Sequence, residues 1–362
     1  MKHKLYNLRG TRYANLGQLD TAISYYEKAL SIQPDYVEAH YNLGFSHHML
    51  GQLDAAIRSY KKVVDIKPEY AEAHNNKILS VIYFFTNGQM PDAIDTLEAL
   101  IKDNHNDALL FNMIGGCYAS LGQSDMAVKN YKQALAIKPD YAVPQHMLNA
   151  LTGNTSTEPP KEYVKNLFDD YAERFDDSLI NQLGYKLPFL MKELILKLDP
   201  KRKTFEKVID LGCGTGLTGK ELRDISNNLT GIDLSSNMVA KTRELDVYDL
   251  LIVGDIVDIL SSSEEKYDLF IALDVFIYIG ELKKIFKTVR QCCNKKALFI
   301  FSIETQEEDG YSLLKSARYA HSDDYILNIA SDGFKVIDSK KVSLRKEKKN
   351  WIDGKIFIFQ AS

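Results

Sequence analysis

The 362 residues carry 45 lysines and arginines against 49 aspartates and glutamates, a net charge of -4, with 45% hydrophobic and 26% charged residues. That composition excludes a disordered or fibrous chain, and the acidic balance argues against a general binder of nucleic-acid phosphates, so no nucleic-acid partner is expected. No run of 18 uncharged apolar residues occurs, so no membrane span is expected, and MKHKLYNLRG lacks the apolar core of a secretory signal. Cys117, Cys213, Cys292 and Cys293 match neither a zinc motif nor a disulfide framework, which suits a reducing, cytoplasmic setting.

The first half repeats itself. GQLDTAISYYEKALSIQP at 17–34 aligns without a gap to GQLDAAIRSYKKVVDIKP at 51–68, a third copy begins at Gly88 after three extra residues, and GQSDMAVKNYKQALAIKP runs from Gly122 to Pro139. The period of 34 is that of the tetratricopeptide repeat, a helix-turn-helix unit. Small residues (Gly44, Gly115, Ala56, Ala127) permit close helix approach and Tyr60 and Tyr131 fill the space between helices. Stacked pairs predict an all-α solenoid over 1–151, closed by a capping helix at 141–151, with a concave groove. By analogy with other such repeats, Tyr41, Asn42, Phe45, His48, Asn75, Asn76, Asn112 and Met113 line that groove. The groove either recognises a peptide or polymer, or the array only packs against its own second domain or a twin subunit. His47 and His48 are neighbours in sequence and point to different helix faces, so no metal site is expected there.

TGNTSTEPP at 152–160 is a breaker segment, read as an exposed linker. A fragment beginning near Pro160 is therefore expected to fold and bind cofactor by itself. From Lys161 the helical pattern returns, with Val164, Leu167, Phe168, Tyr171 and Phe175 at three- and four-residue steps. Residues 161–204 read as a surface helix on a sheet or as a helical lid whose Tyr171 or Phe175 covers a bound cofactor.

From Phe205 short apolar strands alternate with helical stretches, predicting a seven-stranded, doubly wound Rossmann-like α/β domain over 205–362. Strands are expected near 207–211, 229–233, 250–253, 267–273, 297–303, 334–344 and 354–360. VIDLGCGTGLTG at 208–219 ends the first strand in a turn carrying Gly212, Gly214 and Gly216. A nicotinamide site wants glycine or alanine where Leu217 stands. Asp210, two residues before the first glycine, would oppose a pyrophosphate but favours the cationic amino group and sulfonium of S-adenosylmethionine. Asp233 follows Asp210 by 23 residues and suits ribose hydroxyls. Asp255, beside Ile256 and 22 residues further on, suits the adenine amino group, and Asp274 follows the fourth strand.

These residues resemble a class I S-adenosylmethionine-dependent methyltransferase. The whole chain is similar to the bacterial methyltransferases that carry an N-terminal tetratricopeptide array, through HMLNALTG (146–153), YVKNLFDDYAERFDDSLINQLGY (163–185), LDVFIYIGEL (273–282), ARYAHS (317–322) and SLRKEK (343–348). The resemblance implies methyl transfer to an unspecified small-molecule, glycan or protein acceptor. It places the cofactor on Asp210, Gly212, Gly214, Gly216, Asp233, Asp255 and Asp274, with Met238 near the adenine. Cys213, inside the glycine turn, is a small residue there rather than a nucleophile.

An acceptor that must lose a proton needs a base. His321, the one histidine after residue 146, titrates near neutrality and is the candidate, flanked by Tyr319 and by Arg318, which could anchor a carboxylate or phosphate of the acceptor. The other reading makes this stretch the start of a surface helix. The basic run Lys340, Lys341, Arg345, Lys346, Lys348 and Lys349 reads as a solvated hairpin face. A repeat-based interaction protein with a cofactor-binding but inactive domain is the alternative function.

Overall fold

The computed structural model describes residues 2–50, 53–67, 90–103, 106–172, 175–176, 179, 183–347 and 350–362. They form two compact units, Met1–Pro144 and Gln145–Ser362. In the first, α1 (Lys2–Asn15) pairs with α2 (Leu19–Ile32) and α3 (Val37–Met49) with α4 (Leu53–Ile66). Further on, α5 (Met90–Asp103) packs on α6 (Ala108–Ser120), which pairs with α7 (Ser124–Ile137).

The 34-residue period has a steric origin. A Cβ at Gly10, Gly44 or Gly115 would lie 2.5 or 2.6 Å from the ring of Tyr26, Tyr60 or Tyr131. Each of these tyrosines is buried, so the glycine on one helix and the tyrosine on the next form one lock repeated along the array. Of the expected groove residues, Asn42 donates to Asn7 (3.0 Å), Phe45 is exposed, and Met113 packs on the Leu97–Ile114 cluster. Asn75, Asn76, most of the lengthened third repeat and the His48 side chain lie outside the described residues.

The second unit takes in most of α8 (Ala142–Thr152), then α9 (Lys161–Tyr171) and α10 (Leu187–Leu198). The alternating domain follows in the order β1 (Phe205–Leu211), α11 (Leu217–Leu222), β2 (Ser226–Asp233), α12 (Ser236–Arg243), β3 (Leu250–Val253), α13 (Ile256–Ser262) and β4 (Tyr267–Ala272). The remainder is α14 (Lys283–Gln291), β5 (Cys293–Thr305), β6 (Tyr311–Leu313), β7 (Tyr319–His321), α15 (Asp323–Ala330), β8 (Phe334–Glu347) and β9 (Asn350–Ala361). Strands β3-β2-β1-β4-β5 are parallel neighbours, and β9 then β8 complete that edge antiparallel.

The sheet has nine strands, not seven. The additional β6 and β7 are three residues each, too short to leave a period-two pattern, and β7 occupies the stretch read as a helix start. Their position follows from the edges of β5. One edge carries β9 from Leu298 to Glu304, and the other carries β4 only up to Phe301. The uncovered end of that second edge pairs with β7 at Glu304 and Thr305, which sets the β6–β7 hairpin over the carboxyl end of β4.

Alternation along the central strands feeds two cores. Val208, Leu229 and Leu269 face α10 and Leu222, while Ile209, Leu211 and Ile232 face the phenylalanine-rich side with Phe286, Phe299 and Phe359. Among the described residues no helix is long and apolar enough to cross a membrane.

Candidate active site

Strand order reverses between β1 and β4, the point at which open α/β sheets leave a crevice beyond their carboxyl ends. A cavity of about 510 Å³ opens there. Its floor is the turn after β1. Gly212, Gly214 and Gly216 have φ of 74°, 53° and 88°, a region costly for any residue with a Cβ. The Gly212 and Cys213 N–H groups donate to Ile232 O at 2.7 and 2.9 Å, which pins the turn to β2.

Asp233, at the end of β2, is buried and accepts from Gly214 N and Ser235 N, both at 2.8 Å. Burial raises its pKa while those two backbone bonds oppose the rise. Asp255 caps α13, accepting from Val257 N (2.9 Å) and Asp258 N (3.1 Å), and its second oxygen is paired with Lys161 Nζ at 3.0 Å. Asp274 has a left-handed backbone, φ 56°, and its Oδ2 accepts from Arg345 at 3.0 Å. Its Oδ1 is buried and has no partner among the described residues. Phe175, Gly212, Cys213, Gly214, Asp233 and Asp255 line the cavity, as do Ile256, Asp274 and Arg318.

Helix α9 crosses the same cavity. Lys161 ties its start to Asp255, and Asp169 near its end accepts from Ser235 Oγ (2.5 Å) and Asn237 N (3.2 Å). Val164, Leu167 and Phe168 thereby line the cavity, with Leu167 still partly exposed. Tyr171 ends the helix, and its side chain lies outside the described residues.

Four expectations change. Asp210 is buried behind the glycine turn, accepts from Tyr248 Oη at 2.6 Å, and is not among the cavity-lining residues. Burial first, and the neighbouring Asp233 charge, push its pKa up to about 7, so it is no fixed charge facing a cation. Met238, on α12, is buried, and Gly216 packs against Leu245 and Thr242; neither lines the cavity. Arg345, read as part of a solvated face, turns inward and is 6% exposed. It bridges Asp274 and Glu304, and Arg318 bridges Glu304 and Glu347.

The fourth concerns the base. His321 is fully buried and donates from Nε2 to Gly280 O at 2.9 Å, and Tyr319 Oη is bonded to Ser156 Oγ at 2.8 Å. Neither lines the cavity, so His321 and Tyr319 do not reach an acceptor there. Burial drops the His321 pKa from 6.5 to about 4. On acidification the unfolded chain therefore takes up its proton first, so His321 destabilises the fold progressively from pH 6.5 down to 4, by about 3 kcal/mol at the lower limit. Denaturant titrations of wild type and His321→Gln should show the stability difference moving by that amount in the variant's favour between pH 7 and pH 4. A pH-independent difference would place the ring in water.

Sequence reasoning missed Lys161, Tyr185, Tyr278, Ser316 and Glu304 as cavity or network residues. Only Tyr278 left a signal, its position four residues after Asp274 in the loop following β4.

Models described as TPR repeat and tetratricopeptide repeat match residues 10–51, 37–70 and 108–141, and a methyltransferase-domain model matches 184–338. The chain is similar to the malonyl-[acyl-carrier protein] O-methyltransferase of Bacillus anthracis, 29% identical over 28% of this chain and 38% of that protein. Its repeats are similar to the peroxisomal targeting signal receptor of Candida glabrata, 33% identical over 17% of this chain and 10% of the receptor. The chain thus spans well under two thirds of either relative. Among solved structures, magnesium protoporphyrin IX methyltransferase from Synechocystis with bound S-adenosylmethionine aligns with a TM-score of 0.42 and 19% identity, covering 56% of this chain and 97% of that one. The chain thus combines tetratricopeptide repeats with a methyltransferase domain.

Proposed function

We propose that the protein is an active methyltransferase whose repeat array recruits the acceptor, its carrier or a partner protein. The observation that carries the reading is the cavity at the switch point, lined by Gly212–Gly214, Asp233, Asp255 and Asp274. The residues fit the cofactor. The glycine turn leaves room for close approach of a ligand, Asp233 is fixed by two backbone donors with lone pairs left for ribose hydroxyls, and Asp255 faces the adenine end. Asp274 Oδ1 is the buried acceptor that an α-amino group would satisfy. The bound cofactor supplies an electrophilic methyl group.

The chain's own contribution is alignment and exclusion of water. Helix α9 lays Val164, Leu167 and Phe168 along the cavity, its start tied to the domain by the Lys161–Asp255 ion pair and its end by the Ser235–Asp169 hydrogen bond. A methyl displacement gains most from such fixed orientation. Calorimetry should detect S-adenosylmethionine and its demethylated product but not NAD. Asp233→Ala should weaken the cofactor by about 1.5–3 kcal/mol, the scale of lost charged hydrogen bonds. Binding of NAD alone would overturn the assignment, and an unchanged dissociation constant would remove Asp233 from the site.

A further inference from the structure

Building on the methyl-transfer reading, we infer that the inner end of the cavity receives the acceptor as a carboxylate, held by Ser316, Arg318 and Arg345, and that the product is a methyl ester.

The β6–β7 hairpin hangs over the end of β4, next to Asp274. Its tip is a tight turn in which Ala317 N donates to Leu314 O (2.9 Å) and Leu314 N to Arg318 O (2.8 Å). Ala317 there has φ 60°, a conformation that a non-glycine residue holds only when its surroundings impose it. They do, because His146 Nε2 donates to Ala317 O at 3.2 Å and Tyr319 is fully buried against Ala150 and Met147. The result is that Ser316 and Arg318 face the cavity, and Ser316 Oγ is buried with no partner among the described residues.

Arg345 arrives from the opposite direction, on β8. Glu304 Oε1 accepts from both Arg318 Nε and Arg345, which fixes the two guanidinium groups beside each other. Each guanidinium has five N–H donors and each here uses two on carboxylates, so the pair is held in place with donors to spare. The two guanidinium forks are donors only and the Ser316 hydroxyl can donate as well, a set that suits a planar anion. Asp274 Oδ1, a buried acceptor with no partner among the described residues, is the one assigned to the cofactor's amino group. Asp274, Glu304 and Glu347 balance the charge of the two arginines, so the preference for a carboxylate rests on their unused N–H donors and not on net positive charge.

The chemistry needs no base, and no histidine is among the described residues that line the cavity. A carboxylate is already deprotonated. Its oxygen bonds to the methyl carbon as the carbon–sulfur bond breaks with both electrons going to sulfur. Carboxylate and sulfonium become neutral ester and thioether, and no proton moves. Neighbouring walls at Tyr163, Phe168 and Tyr278 suit an acceptor whose carboxylate sits on an apolar or aromatic body.

The test uses the full chain saturated with the demethylated cofactor product, a step that fails visibly if the underlying reading is wrong. Phenylacetate, phenylacetamide and phenethylamine, matched in shape but anionic, neutral and cationic, are then titrated by calorimetry. Phenylacetate should bind at least about tenfold more tightly than the other two, and Arg318→Gln or Ser316→Ala should weaken it by about tenfold without moving cofactor affinity. Equal binding of the three, preference for the amine, or no binding of any overturns the carboxylate site. A second readout is independent of these probes. Methyl groups transferred from radiolabelled cofactor to a cell extract should be released as volatile methanol by mild alkali, as from esters. Alkali-stable label means a different acceptor atom and sinks the inference while leaving methyl transfer in place.

Discussion

Arg345→Ala is expected to lower unfolding stability by about 3–5 kcal/mol and to abolish methyl transfer, because it leaves buried carboxylates without their cation. Asp274 and Glu304 both pair with this guanidinium, and the side chains of Arg345 and Glu304 are 7% and 4% exposed. Arg318 still reaches Glu304, but Asp274 is left with neither of its oxygens bonded to a cation while burial already raises its pKa. The variant should therefore regain stability as pH falls and Asp274 becomes neutral. Arg345→Lys, which restores charge without the planar fork, should recover part of the stability and little of the turnover. Urea titrations of the three proteins decide the matter. An Arg345→Ala midpoint close to wild type would mean the charges are hydrated and the network holds nothing.

The second large effect concerns where the catalytic unit begins. A fragment starting at Gln145 should fold and bind the cofactor product, whereas one starting at Pro160 should aggregate or lose its fold around the hairpin. Residues 152–160 are not the free linker their composition suggests. Thr157 O accepts from Glu281 N (2.8 Å), Thr155 Oγ1 from Leu313 N (3.2 Å), and Ser156 Oγ is bonded to Tyr319 Oη. Just before them, Met147 and Ala150 of α8 cover Leu313, Ala317 and Tyr319. Cutting at Pro160 removes all of this at once. It leaves the buried Tyr319 hydroxyl and two backbone N–H groups without partners, at about 1–3 kcal/mol each where water cannot replace the bond. Comparing the two fragments by solubility, thermal unfolding and cofactor titration checks the boundary. Equal behaviour would mean that the strap is dispensable and that the composition-based boundary is correct.

The sequence by itself determined what rests on local spacing. The 34-residue period is legible because the same glycine–tyrosine lock recurs between adjacent helices, so Gly44 with Tyr60 and Gly115 with Tyr131 are chemically identical solutions to one packing problem. The glycine turn and its acids are legible because each acid ends or follows a strand, and strand ends are set by short-range alternation. Asp233, Asp255 and Asp274 accordingly stand at the cavity where the intervals placed them. Tertiary structure alone decided which way longer-range partners turn. Residue type made His321 the obvious base, but its ring lies behind the loop at Gly280, 41 residues earlier. Composition made Arg345 a surface cation, yet it meets Asp274 across 71 residues. Composition also made 152–160 a linker, although it pairs with residues more than 120 positions later. The physical reason is the same in each case. A strand's period specifies which residues share a face, but whether that face meets solvent, a carboxylate or a ligand depends on which strand lies alongside, and the β5–β7 pairing that settles it leaves no period in the sequence.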